Sequence, residues 1–204
     1  MNQDNPLLVA GVIAAMAVVA WYWWSDYRAG SRGAPVERGF PGATPATLRM
    51  CLIGVGGALV LLSAEVAGEY ALDLVEQQSR MTVLFGLYTL AAAFGEELVF
   101  RGYLFVGGRG PRMLWASIVA CSLVFALAHP FLWRFGEDGL EVVFGSKEVF
   151  STTAVFAGSV WFYWLRFNRG NPTRSLVPCI VAHATKNAGV FAVKAAQGFV
   201  VGWW

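Results

Sequence analysis

Charge is scarce in this chain: Asp, Glu, Lys and Arg make up 14% of its 204 residues, against about 25% in a soluble domain. Histidine is scarcer, with two residues. The three cysteines, Cys51, Cys121 and Cys179, stand alone inside apolar runs. That spacing excludes a zinc or redox pair and a disulfide framework, and the thiols read as small buried hydrophobes. There is no HExxH motif, no internal repeat and no low-complexity tract. The only Gly/Pro-rich linker runs from Arg28 to Pro45. A net charge of +2 leaves no basic footprint for a nucleic acid. The start, Met1 to Pro6, lacks the basic n-region of a secretory leader, so the apolar run behind it reads as a retained helix.

What is abundant is apolar surface. Hydrophobic residues reach 57% and mean hydropathy is +0.55, so lipid is the expected solvent. A bilayer crossing takes about 20 apolar residues. Six stretches qualify: Leu7–Trp24, Ala46–Ala67, Met81–Phe105, Met113–Phe131, Phe150–Phe167 and Ser175–Trp204. The last exceeds one straight crossing and is expected to tilt or to break near Gly189 or Lys194. The expectation is an all-α, polytopic bundle forming one integral membrane domain over 1–204.

The connections alternate in charge. Nine arginines (28, 32, 38, 49, 109, 112, 166, 169 and 174) fall on one side. The other side has Arg80, Arg134 and Lys147, and collects Glu69, Asp73, Glu76, Glu137, Asp138, Glu141 and Glu148. The positive-inside rule then puts both termini outside. Richness in Ala, Gly and Arg suits a bacterial cytoplasmic membrane. Aromatic clusters at Trp21–Trp24, Trp161–Trp164 and Trp203–Trp204 mark span ends.

Against that background a few polar residues stand out, because an ionisable group at membrane depth costs several kcal/mol. Glu97 and Arg101 are four apart on the third span and share a helix face. Glu96 points about 100° away and has no basic partner at helical spacing. These could form a structural ion pair with a second charge turned to water, or a free carboxylate beside a neutralised one. His129 closes the fourth span before Pro130, one turn after Phe125. His183 and Asn187 project together from the last span, and could equally be interhelical glue. The span boundaries place Glu96 and His183 in the arginine-rich half and His129 nearer the opposite end. Lys186 is expected to snorkel and Glu65 to sit at the interface.

Taken together, EELVFR at Glu96–Arg101, FALAH at Phe125–His129 and HATKN at His183–Asn187 form the pattern EExxxR, FxxxH, HxxxN on successive membrane helices. It resembles that of the CAAX-protease and bacteriocin-processing (CPBP) family of intramembrane glutamic endopeptidases. The resemblance spans about Met81 to Val190, making 81–190 the motif-bearing core, and it implies a polar cavity formed by the last four spans. It implies that Glu96 and His129 activate a water, that His183 and Asn187 stabilise the oxyanion, and that Glu97 and Arg101 support the site. It implies no cofactor and no metal, and a substrate that is a membrane-embedded or lipidated protein or peptide. Two other readings compete. Glu and the two His could bind zinc, or the polar groups could merely pack helices in an immunity or partner-binding protein.

Overall fold

The computed structural model describes residues 5–136 and 139–204. Glu137 and Asp138 from the charge tally, and Met1–Asp4 of the N-terminal reading, lie outside the described residues. Six helices follow one another: α1 Pro6–Ser31, α2 Leu48–Ala71, α3 Val83–Glu96, α4 Pro111–Ala128, α5 Ser146–Phe167 and α6 Val177–Ala196. A π-helical stretch, Glu97–Tyr103, continues α3. A hairpin of β1 (Trp133–Gly136) and β2 (Gly139–Val142) joins α4 to α5.

Helix starts follow local chemistry. Asn5, Thr47 and Thr82 cap α1, α2 and α3 by accepting the backbone N–H of Leu8, Met50 and Phe85. Proline opens α1 and α4 and lies in the first turn of α6, where its missing N–H costs nothing. At the far end of α4, Pro130 disfavours helical geometry at the residue before it. His129 is accordingly extended (φ −79°, ψ 125°) and the helix stops at Ala128.

Four of the expected spans are long and apolar enough to cross a bilayer: α1, α2, α3 with its π-helical extension, and α4. Helices α5 and α6 complete the bundle but carry more polar side chains and fall short of that criterion. Several expected boundaries shift. Helix α1 runs a further two turns, taking Arg28 out of the linker. Helix α6 runs through Gly189 without a break and ends at Ala196, two residues beyond Lys194, where the chain folds back. Val200 then bridges Met81, and the carbonyls of Gly202 and Trp203 accept from the N–H groups of Val83 and Leu84. The C-terminal tail thereby satisfies orphan donors in the first turn of α3.

Contacts at the two ends show that the helices alternate in direction. At one end Asp26 of α1, almost fully buried, accepts from the backbone N–H of Arg38 and Phe40. There the Leu176 N–H also donates to the Gly42 carbonyl, before α6. At the other end Gln78 donates to Gln197, and Lys194 to the Ser79 carbonyl. The arginine-rich connections gather at the first end. Between them, α2 and α6 meet closely at Gly54, where an added Cβ would lie 2.9 Å from the Pro178 carbonyl oxygen. Ala58 and Ala182 are fully buried in the same core; small residues are what let membrane helices approach in this way.

Candidate active site

The cluster is built around His183 of α6. Its Nδ1 lies 2.8 Å from Glu97 Oε1 and its Nε2 lies 3.7 Å from Glu96 Oε2. Two successive glutamates thus face the two nitrogens of one imidazole, Glu97 within hydrogen-bond distance and Glu96 beyond it. Glu97 Oε1 also lies 3.1 Å from Arg101 Nη1, and both side chains are 0% exposed. An ionised carboxylate only accepts hydrogen bonds, so Nδ1 carries the proton towards Glu97. Nε2 donates only when the ring is doubly protonated. Glu96 is 31% exposed at its side chain, which leaves it the carboxylate open to an incoming water.

Sequence reasoning missed the groups that hold Arg101 on its other side. Arg101 Nη2 donates to Ser159 Oγ of α5 at 2.8 Å, and that hydroxyl donates to Ser122 Oγ of α4 at 3.0 Å. The guanidinium carbon lies 4.4 Å from the Phe125 ring centre and 5.0 Å from that of Tyr163. The Tyr163 hydroxyl sits 2.8 and 2.7 Å from the carbonyl oxygens of Phe100 and Leu104, donating to backbone acceptors at the end of the π-helical stretch. The Phe162 ring stacks on His183 at 4.8 Å. The only letter-level signal for the serines was a small polar residue inside an apolar span.

His129 joins the cluster through an aromatic wall. The Phe125 ring lies 4.8 Å from His129, 6.2 Å from His183 and 4.8 Å from Phe100. Because Ser122 meets the Arg101–Ser159 pair, the end of α4 lies much nearer the level of the glutamates than the sequence boundaries implied. His129 Nδ1 is 2.8 Å from the Phe125 carbonyl oxygen. A carbonyl cannot donate, so Nδ1 carries hydrogen and Nε2 of the neutral ring presents a lone pair.

Asn187 stands apart. Its Nδ2 donates to the Thr89 carbonyl of α3 at 2.9 Å, which leaves one amide hydrogen for another acceptor. Lys186 does not snorkel: Nζ pairs with Glu65 Oε2 of α2 at 2.6 Å, and the two side chains are only 11% and 19% exposed. Glu65 is therefore an interhelical partner rather than an interfacial residue. The cysteines are all free, Cys179 buried and the other two partly so. Among the described residues no group of three or more His, Cys, Asp or Glu side chains is arranged to hold a metal ion.

A helical membrane bundle with a buried carboxylate–imidazole–guanidinium cluster defines the class. Residues 78–189, more than half of the chain, match the family described as type II CAAX prenyl endopeptidase Rce1-like, and the chain belongs to that family of membrane endopeptidases. Neither the curated proteins nor the solved structures offer a match.

Proposed function

We propose that this protein is an intramembrane endopeptidase of glutamic type, cutting a peptide bond in a membrane-anchored or lipidated protein or peptide. The observation that carries the reading is His183, held by Glu97 at 2.8 Å across 86 residues of sequence while its other nitrogen faces Glu96. Structural glue needs one partner for the ring. A ring fixed on one side and turned to a half-open carboxylate on the other suits chemistry.

In this scheme Glu96 takes a proton from a water that His129 Nε2 helps to orient. The water oxygen adds to the scissile carbonyl, and the resulting oxyanion is met by the Nε2–H of a doubly protonated His183 and the spare Asn187 amide hydrogen. The proton on Glu96 then passes to the leaving amine as the C–N bond breaks. Glu97 and Arg101 hold His183 in register. Donors preorganised in a water-poor site contribute several kcal/mol to such a step. The chain sits with both termini outside and the arginine-rich end in the cytoplasm, by the positive-inside bias.

The test is cleavage by protein reconstituted in lipid nanodiscs, using a panel of prenylated and unmodified C-terminal peptides. Glu96→Gln is expected to lose turnover by about 10²–10⁴-fold, the usual contribution of a general base, with its thermal midpoint unchanged. Undiminished cleavage by that variant would overturn the reading.

A further inference from the structure

The β1–β2 hairpin has two chemically opposed faces. Cross-strand partners share a face in an antiparallel pair, and so do alternate residues along a strand. Trp133 pairs with Val142 and Phe135 with Leu140, so these four side chains lie on one side. Phe135 is 78% exposed, and Leu140 and Val142 are each 60% exposed. On the opposite face Arg134 pairs with Glu141 at 2.8 Å. A hairpin standing in water would not spend one whole face on large apolar groups; contiguous exposed apolar surface marks a contact site.

We propose that this hairpin is an interfacial anchor that dips its Trp133–Phe135–Leu140–Val142 face into the bilayer and keeps Arg134 and Glu141 in water. Its occupant is the lipid surface because its apolar face continues that of a membrane helix. Leu123 and Leu127, exposed on α4, lead directly to Phe131 and then to β1. The Trp133 indole N–H donates to the Leu127 carbonyl at 2.7 Å, fixing the hairpin to the end of that helix. Exposed Trp203 and Trp204, beside the start of α3, lie at the same end of the bundle, as an aromatic belt does at the headgroup level. The depth is bounded. A two-stranded hairpin leaves its outer backbone N–H and C=O groups unpaired, and these cannot enter hydrocarbon. Only the side chains descend.

The hairpin begins beside the candidate site. The Phe131 ring stacks on His129 at 6.0 Å, and its N–H donates to the His129 carbonyl. An anchored hairpin therefore puts the His129 side of the cluster at the membrane surface.

The test uses four single substitutions, Arg134→Cys, Phe135→Cys, Leu140→Cys and Glu141→Cys, in full-length protein in nanodiscs, which expose both membrane faces. Labelling by a charged maleimide is followed against the unsubstituted protein, whose three native thiols set the background. The reagent needs a hydrated thiolate. Positions 134 and 141 are expected to label, and 135 and 140 to react at least about tenfold more slowly until the protein is denatured. Equal labelling at all four sites overturns the proposal. So does equal protection at all four, which would mean that something other than the bilayer surface covers the hairpin.

Discussion

Arg101 shows how a full charge is kept inside this bundle. Its side chain is 0% exposed, as is that of Glu97, and Ser159 and the Phe125 ring take up other sides of the guanidinium. Removing one partner of a buried pair strands the other, at a cost of roughly 3–5 kcal/mol. Glu97→Gln is therefore expected to lower unfolding stability by about that much, measured by denaturation in mild detergent; a loss below about 1 kcal/mol would contradict the pairing. Ser159→Ala removes a single hydrogen bond to the charge and is expected to cost about 1–3 kcal/mol, with Ser122→Ala costing less because Ser122 touches Arg101 only through Ser159. The Glu97–Arg101 pair was legible in the sequence, since i, i+4 spacing puts two side chains on one face. The serines were not. A hydroxyl in a membrane helix can bond its own backbone instead, as Thr152, Thr153 and Thr185 do, and the letters do not say which way it turns. The Lys186–Glu65 pair was illegible for another reason: 121 residues separate its members.

At the scale of elements, the sequence supported one continuous helix over the third span, and the structure keeps it continuous but changes its pitch partway along. The change to π geometry begins at Glu97, the second glutamate of the motif, and wider turns of this kind are frequent at functional sites. Tyr163 holds that stretch from α5. Tyr163→Phe is expected to cost about 1 kcal/mol, and to speed hydrogen exchange at the backbone amides of Tyr103 to Phe105; unchanged exchange there would show that the hydroxyl does not hold the turn. The sequence reading expected the long last run to tilt or break, but not where the chain goes after α6, because an apolar run ending in two tryptophans does not show what it pairs with. Only pairing with Met81, Val83 and Leu84 fixes its path. Truncation after Gly198 is accordingly expected to raise exchange in the first turn of α3, with the amides around Glu96 less affected. Hydropathy did locate all six helices, since apolar length is what lipid demands. It blurred their ends, where capping residues and prolines decide.

For the whole molecule, the internal contacts are the same whichever way the bundle is inserted. Orientation must come from the charges outside it. Nine arginines at one end against four basic residues at the other, Arg80, Arg134, Lys147 and Lys194, is a strong bias, and each basic residue near an anionic leaflet contributes about 1 kcal/mol. Exposed positions at the two ends report it directly. With Arg169→Cys at the α5–α6 turn and Trp204→Cys in the tail, an impermeant thiol reagent added to intact cells is expected to label position 204 and spare position 169 until the membrane is opened. The opposite pattern would reverse the proposed orientation while leaving the fold untouched. It would also move the hairpin beside His129 to the cytoplasmic leaflet, and with it the side from which a substrate would reach the residues proposed to activate water. On the proposed orientation, charge at the arginine-rich end, some distance from the candidate site, selects the leaflet that this site serves.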